Sequence, residues 1–569
     1  SVIEALKRQG AFEEIFVPED SDFLAKENFI FTPIVLEGQQ KAAVEILTQK
    51  LQQKSFSVAL LEGVTGSGKT EVYFSALAEA LKQGGQIVIL LPEIALTQQF
   101  IERFTQRFGR KPVVWHSGLS AKLRNRIWRK ISKGRAEVVV GARSALFLPF
   151  QNLNLIIVDE EHDAAFKQEE NVFYNARDMA VARAKFAACP IILCSATPSL
   201  ESRVNAMSGK YTHVQLKNRY AHASFPRLEA IDLRKDPAAK GKFLSPILLK
   251  AMEENLKKQQ QTLLFLNRRG YAPLTICQLC GHRFSCPHCS SFLVQHRLVG
   301  KLICHHCGYG EPIPQMCSIC GEQGQLIAYG AGVERISEEV LEYFPQARQI
   351  VLSTDLGKNL AKRQQEFLSI EKRQVDIIIG TQLVTKGHNF LGISLVGVVD
   401  ADLSLMSREL RAAERSFQTL FQVTGRAGRD GKESRGFIQS HSPENPIIQA
   451  LLAGNKESFY RFEIEERHAA CLPPFGRLAG IVISAEKADQ ALNYAKTLCR
   501  VAPHYKDIKL LGPVEAPLAL WRDRFRFRLL LQGSKKSDVQ GYIRQMLHKA
   551  PKQPSCVKIQ IDIDPQSFF

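Results

Sequence analysis

Short apolar runs separated by longer amphipathic stretches occupy most of the chain. The runs SVALLEG (57–63), QIVILLP (86–92), AEVVVGA (136–142), LNLIIVDEE (153–161) and PIILCSAT (190–197) lack the polar alternation of a half-exposed strand. Continuous apolarity of this length predicts strands covered on both faces, hence a parallel sheet with crossover helices. The pattern resumes in TLLFLNRRG (262–270), RQIVLSTD (348–355), VDIIIGTQ (375–382) and ISLVGVVDAD (393–402), so a second sheet of the same kind is expected. A cysteine-rich stretch interrupts this second unit like an insertion. After about Ala450 the texture changes to mixed α+β, with FRFRLLL (525–531) and VKIQIDID (557–564) as its clearest strands. The first 35 residues combine a helix-like SVIEALKRQG with a polar linker. The expected fold class is therefore α/β: two parallel-sheet domains, a cysteine-rich insertion and an α+β C-terminal domain.

A length of 569 residues fits roughly four domains. With 45% hydrophobic and 23% charged residues, the composition excludes disordered, collagen-like and coiled-coil classes. No apolar run reaches the ~20 residues of a membrane helix, and no membrane partner is expected. The 75 Lys and Arg exceed the 57 Asp and Glu by 18, and the resulting positive charge points to a polyanion, nucleic acid before membrane.

Thirteen cysteines change the picture further, because eight of them form four C-x-x-C pairs: Cys277/Cys280, Cys286/Cys289, Cys304/Cys307 and Cys317/Cys320. In a large chain without a secretion signal this reads as metal binding in a reducing cytoplasm rather than as disulfides. Each pair presents two thiolates at tetrahedral spacing, and a closed structural Zn²⁺ site takes two pairs. Eight thiolates make two zincs with no open position for catalysis. The four knuckles can combine sequentially, crossed or nested. The 14 residues between Cys289 and Cys304 lie close to the ~15–20 spacer of zinc ribbons. That spacing favours Cys286, Cys289, Cys304 and Cys307 on one ion and Cys277, Cys280, Cys317 and Cys320 on the other.

The sharpest motif is Gly63-Val64-Thr65-Gly66-Ser67-Gly68-Lys69-Thr70, which fits G-x-x-x-x-G-K-[ST] between a predicted strand and a predicted helix. Glycines there let backbone N–H groups curl around phosphates at a helix N-terminus. Lys69 is placed to reach the β- and γ-phosphates, and Thr70 to hold Mg²⁺. Further on, the run LIIV delivers Asp159-Glu160-Glu161-His162 at a strand end. Asp159 is assigned to Mg²⁺ and Glu160 to the attacking water. An acidic strand end alone is usually a solvated loop; behind a phosphate loop the odds reverse. Arg426 and Arg429, three apart in QVTGRAGR (422–429), are candidate arginine fingers.

In this order the motifs resemble those of superfamily 2 helicases. GVTGSGKT, PEIALT (92–97), GARSALF (141–147), DEEH (159–162), SAT (195–197), GTQLVTKGHNF (380–390) and QVTGRAGR match motifs I, Ia, Ib, II, III, V and VI. The resemblance implies two RecA-like domains with ATP in the cleft between them, and places Gln40 at the adenine-recognising glutamine. Two zinc sites inside the second RecA-like domain, with FLNRRGYAP (265–273) and LPPFGRLAG (472–480), narrow the resemblance to the PriA (primosomal protein N′) family of replication-restart helicases. KQEENVFYNARD (167–178) resembles that family's aromatic-rich loop.

The resemblance implies an ATP-dependent 3′-to-5′ DNA helicase that recognises and remodels stalled or abandoned replication forks and initiates primosome assembly. Its implied cofactors are ATP, Mg²⁺ and two Zn²⁺. Its implied partners are single-stranded and forked DNA, single-strand-binding protein, PriB and DnaT, in the nucleoid-associated bacterial cytoplasm. The implied domains are the end of a winged helix with its linker (1–35), a first RecA-like domain (36–225), a second (226–272 and 329–450), the zinc insertion (273–328) and a C-terminal DNA-binding domain (451–569). The start at Ser1 reads as a fragment lacking the family's N-terminal reader of a nascent 3′ end.

Candidate DNA contacts are Arg143, Ser144, Thr381, Lys386 and His388, with Phe166, Phe173 and Tyr174 as stacking candidates. Residues 500–569 hold thirteen Lys+Arg and six Asp+Glu. Within them, Trp521-Arg-Asp-Arg-Phe-Arg-Phe-Arg528 predicts a strand with arginines on one face and aromatics on the other. That strip reads either as a DNA-binding surface or as a core strand with a solvated face. Two rival functions stay open: a DNA-stimulated translocase, or a zinc-stabilised primosome scaffold, each without processive unwinding.

Overall fold

A computed structural model describes residues 29–92, 98–219, 225–239, 241–266, 274–277, 282, 284–287, 293–296, 301–304, 309–323, 326–329, 332–352, 360–381, 390, 392–405, 410–428 and 433–567. The first part of the chain forms β1 (Ser57–Gly63), β2 (Gln86–Leu90), β3 (Val113–Trp115), β4 (Val138–Gly141), β5 (Leu153–Val158), a small ribbon of β6 (Lys167–Gln168) and β7 (Tyr174–Asn175), then β8 (Pro190–Ser195) and β9 (Thr212–Leu216). Seven of these make one sheet in the order β3-β4-β2-β5-β8-β1-β9, with every pairing parallel.

Burial on both faces explains the unbroken apolar runs. Ile87 and Ile89 of β2 enter a core with Ala59, Leu61 and Ile157, whereas Val88 and Leu90 enter the opposite core with Val58, Leu60 and Ile156. Each such side chain contributes about 1.5–3 kcal/mol when fully buried, so a polar residue at any of these positions works against the fold.

The second sheet uses β10 (Arg227–Asp232) and β11 (Gln261–Leu266). The chain then leaves it for five short strands, β12 (Leu274–Cys277), β13 (Val294–His296), β14 (Lys301–Ile303), β15 (Gly310–Pro312) and β16 (Leu326–Tyr329). It returns with β17 (Gln349–Leu352), β18 (Ile377–Gly380), β19 (Ile393–Asp400) and β20 (Arg435–Ser440). The second sheet is parallel in the order β10-β20-β19-β11-β18-β17, and Leu263/Phe265 and Leu264/Leu266 of β11 again divide between two cores. The five short strands form an antiparallel sheet of their own, ordered β15-β14-β13-β12-β16.

The C-terminal part is an antiparallel sheet of β21 (Gly476–Ala485), β22 (Ile508–Trp521), β23 (Arg524–Ser534) and β24 (Lys558–Ile563), ordered β22-β23-β21-β24. Helices Ala488–Val501 and Val539–Lys549 cover one face, where Tyr494, Leu498, Tyr542 and Met546 pack on Ile481, Ile483, Phe527 and Leu529. Among the described residues no helix is long and apolar enough to cross a membrane.

Candidate nucleotide site and nucleic-acid interface

Strand β1 ends at Gly63 and helix Lys69–Lys82 begins six residues later, so the phosphate-type loop spans a strand end and a helix N-terminus. Gly66 and Gly68 sit at φ +82° and +81°, where a Cβ is strained; a Cβ on Gly68 would also meet Gln40 Nε2. Gln40, expected at the adenine, is buried and donates from Nε2 to the Ser67 carbonyl at 2.9 Å, bracing the loop backbone. Lys69 bends back to donate to the carbonyls of Gly63 (2.7 Å) and Val64 (3.4 Å). Burial pushes its amine pKa down, while the Glu160 and Asp159 carboxylates oppose that shift.

Asp159 follows the end of β5. Its Oδ2 accepts from the Tyr73 hydroxyl at 3.0 Å and its Oδ1 from the Glu160 N–H at 2.9 Å. Burial and the adjacent Glu160 charge raise the Asp159 carboxyl to about 6, against the pull of Lys69 and Tyr73. Such an acid, held ionised only with help, fits a divalent cation. Glu160 itself adopts φ +49°, a strained backbone for a residue with a Cβ.

The second parallel sheet meets this acid directly. Gln422, on helix Ala412–Thr424, donates from Nε2 to Glu160 Oε2 (3.3 Å) and to His162 Nε2 (3.0 Å). With Nε2 accepting, the His162 Nδ1 proton faces Ser195 Oγ at 2.8 Å, which joins the SAT turn to DEEH. Gln418 of the same helix donates to the Thr197 carbonyl at 3.2 Å. Thr65 of the loop donates to the Gly425 carbonyl at 3.3 Å, so the loop and the QVTGRAGR turn already touch. Arg426 is buried in that turn; Arg429 lies outside the described residues.

Two groups escaped the sequence reading. Arg219, in the segment between the two sheets, donates to the carbonyls of Ala427 (2.9 Å) and Gly425 (3.0 Å) and stacks on Phe225 at 4.4 Å. No motif marks it. Glu62, the residue before the loop, is 1% exposed and joins His213 (2.7 Å) to Arg203 and Lys456. Beside them, a cavity of about 620 Å³ lined by Glu62, Val64, His213, Phe225, Gly425 and Lys456 opens between the sheets.

Further from the loop, buried charges are matched one against another. Glu161 of DEEH accepts from the Ser199 N–H (2.7 Å) and the Ser202 hydroxyl (2.9 Å), so its work is to hold helix Leu200–Met207. Arg411 pairs with Glu201 and Glu414, and Arg467 pairs with Glu414 at 2.8 Å. Burial alone would raise Glu414, but Arg467 and Arg411 hold it below its ordinary range.

The expected DNA contacts are mostly engaged by protein. Arg143 donates to the carbonyls of Ala165 (3.1 Å) and Lys167 (2.8 Å), and Ser144 Oγ accepts from Trp115 Nε1 at 3.2 Å. Phe166 is a core residue rather than a stacking platform, whereas Phe173 is half-buried and Tyr174 meets Phe147 edge to face. Thr381 is buried at the end of β18; Lys386 and His388 lie outside the described residues.

Profiles of known families match three stretches of the chain: DEAD/DEAH box helicase over 37–205, the PriA DNA helicase Cys-rich region over 286–312, and the primosomal protein N C-terminal domain over 468–566. The chain is 44% identical to the replication restart protein PriA of Rickettsia felis over 544 residues, 96% of this chain and 83% of that protein. The chain belongs to the PriA family. The PriA proteins of Bacillus subtilis (36% over 577 residues, 99% of this chain and 71% of that one) and Haemophilus influenzae (37% over 580 residues, 100% and 78%) agree. Among solved structures, RecG bound to a three-way DNA junction superimposes with a TM-score of 0.46 at 15% identity over 79% of this chain and 51% of that one, too loosely to argue from.

In this PriA-family chain the Cys-rich sheet places Cys286 and Cys304 in one small core with Phe284, Leu293 and Leu302. Pairing of β13 with β14 forms an inner hairpin, and β12 with β16 an outer pair in which Cys277 faces Leu326. Cys317 is buried and Cys320 exposed; Cys280, Cys289, Cys307 and the Cys277 side chain lie outside the described residues. Thiols in C-x-x-C pairs, two of them brought into one core, are a donor set that fits zinc. The C-terminal domain also docks on the helicase part, through Lys167 with Asp562 and through Arg415 donating to the Gln566 carbonyl at 2.7 Å.

Proposed function

We propose that this PriA-family chain is an ATP-dependent DNA helicase of 3′-to-5′ polarity that recognises and remodels stalled replication forks and initiates primosome assembly. The observation that carries the motor reading is the reach of Gln422 from the second parallel-sheet domain to Glu160 and His162 of the first. A group that touches the candidate water-activating acid only when the domains meet ties hydrolysis to their approach.

In this reading the loop N–H groups and Lys69 bind the ATP phosphates, and the Gly63 and Val64 carbonyls now held by Lys69 are released as phosphate oxygens replace them. Thr70 and Asp159 would hold Mg²⁺, which neutralises phosphate charge. Glu160 orients and deprotonates the attacking water. Arg426 and Arg429 supply positive charge to the transferring phosphoryl group. Gln40 braces the loop from behind while the base and ribose extend into the cleft.

Two zincs are assigned to Cys286, Cys289, Cys304 and Cys307 and to Cys277, Cys280, Cys317 and Cys320. The common core of Cys286 and Cys304, and a Cys-rich profile that spans only the inner four cysteines, support this nesting. Bound there, zinc would cross-link a core too small to be stable alone. Single-stranded and forked DNA are the proposed substrates, and single-strand-binding protein, PriB and DnaT the proposed partners, in the nucleoid-associated bacterial cytoplasm.

Strand displacement on partial duplexes carrying either a 3′ or a 5′ single-stranded tail, with Mg²⁺ and ATP, tests the reading. Unwinding driven from the 3′-tailed strand, abolished in Glu160→Gln while ATP binding persists, is expected. ATP hydrolysis without displacement favours the translocase, and primosome loading that survives Lys69→Ala favours the scaffold.

A further inference from the structure

Strand β23 carries Arg524, Arg526 and Arg528 on the face opposite Phe527 and Leu529, which enter the core under the helices. The arginine face is not a solvated one. Arg526 is 6% exposed, covered by Trp521 at the hairpin end, and Trp521 in turn packs on the core of the Cys-rich sheet beside Cys286, Cys304 and Tyr309. Its neighbour Arg524 is settled: it donates to the carbonyls of Ser484 (2.8 Å) and Cys556 (2.6 Å).

Arg526 has no such settlement. Among the described residues its guanidinium makes no hydrogen bond or ion pair, and its Nε is buried without an acceptor. The Trp521 ring lies 5.1 Å from its Cζ, and the same ring takes Arg522 at 4.7 Å. The Trp521 indole N–H is likewise buried without an acceptor among the described residues. Burial pushes the Arg526 pKa down, with no carboxylate acting against it. Other buried arginines have acceptors in place: Arg411 and Arg467 face Glu414, and Arg219 donates to the Ala427 and Gly425 carbonyls. An aromatic face returns only part of what water gives a guanidinium, and two cations on one ring repel. What the place lacks is an anion with several oxygens.

We propose that Arg526, Arg522 and the Trp521 N–H, where the C-terminal hairpin meets the Cys-rich sheet, form a binding site for a nucleic-acid backbone phosphate. A phosphodiester suits it because its two free oxygens accept from the planar guanidinium fork and from the indole N–H together. This deepens the DNA-helicase reading and rests on it: the strand is gripped at the junction of the C-terminal and zinc-bearing parts, away from the nucleotide cleft.

The test is a fluorescence-anisotropy titration of the full chain, zinc loaded, with a labelled single-stranded oligonucleotide over a series of salt concentrations. Arg526→Met is expected to weaken binding about tenfold and to reduce the slope of log K against log salt by about 0.7, one phosphate contact fewer. Trp521→Phe keeps an aromatic face for the arginines while losing the N–H and the second ring, so it should cost a few-fold; it carries the test if Arg526→Met does not fold. With a methylphosphonate oligonucleotide, which lacks backbone charge, parent and variants should bind alike. Parent-like affinity and salt slope in both variants overturn the site while leaving the helicase reading intact. Loss of Arg526 sensitivity for DNA but not for a polyglutamate peptide overturns it in favour of an acidic protein ligand. A parent that binds no oligonucleotide at all overturns both the site and the reading it rests on.

Discussion

The interface between the two parallel sheets and the tip of the C-terminal hairpin both bury arginines, but they treat them differently. At the interface, Arg203 meets Glu62 and Glu457, Arg411 meets Glu201 and Glu414, and Arg467 meets Glu414 and Glu463. At the hairpin, Arg526 is as deeply buried and meets an indole ring. A buried charge with its counter-charge in place is part of the framework; a buried charge without one is arranged for something that arrives later. Lys69 stands between the two cases, because its partners at rest are backbone carbonyls that a phosphate can displace.

Breaking the framework should cost most. Glu414 accepts from Arg411, from Arg467 and from the Leu200 N–H at 2.9 Å, so Glu414→Ala takes one of two carboxylates from each buried arginine, leaving Glu201 and Glu463, and removes the acceptor of the Leu200 N–H. Removing one partner of a buried ionic group costs about 3–5 kcal/mol, and chemical denaturation should register a loss of that size. A change below about 1 kcal/mol would mean that water reaches these arginines.

Lys69→Ala should leave that framework unmoved and lower ATP turnover by about 10²–10³-fold, a charge-stabilising donor lost from the transferring phosphate. Turnover and the unfolding midpoint, read on one preparation, separate the two kinds of charge.

Glu62 offers a pH test of a matched charge. Burial alone would raise its carboxyl, but the His213 hydrogen bond and the Lys456 and Arg203 charges bring it from 4.5 down to about 2. Because the folded value is depressed, the stabilisation is complete above about pH 4.5 and lost as pH falls towards 2, up to roughly 3 kcal/mol. In Glu62→Gln the stability difference from the parent should shrink across that window; a constant difference would place the cause elsewhere.

The smallest effect belongs to the unmatched charge. Arg526→Met should leave unfolding free energy within about 1 kcal/mol of the parent, or raise it, since no counter-charge is stranded. A loss as large as that of Glu414→Ala would show that Arg526 is framework too.

The strands buried on both faces were legible because their residues repeat one property without interruption: β1 coincides with SVALLEG, and the runs at 190–197 and 393–402 contain β8 and β19. Strands β9 and β10 lie at sheet edges, where a half-covered strand mixes polar and apolar residues and looks like loop, and the edge strand β3, VVW, is too short to stand out as a run. Strand β20 is interior, yet RGFIQS reads as polar because Gln439 satisfies its amide internally, donating to the Phe243 and Val399 carbonyls at 2.8 Å each. The loop glycines, Lys69 and the DEEH acids were legible for a different reason: phosphate chemistry dictates residue types at short, fixed spacing. Arg219 obeys no such spacing, since it acts on carbonyls some two hundred residues away.

Local order in the chain was thus enough for both parallel sheets, the phosphate-type loop and the knuckle cysteines, because each depends on neighbours within a turn or a strand. Which acids are matched and which arginines are left waiting depended on packing between distant segments. The alternation of β23 correctly sets its arginines against its core aromatic Phe527, but period two describes only which side of the strand a residue occupies. Whether that side meets water or Trp521 and the Cys-rich sheet is decided by the meeting of two domains, where burial removes solvent from Arg526 without supplying an anion.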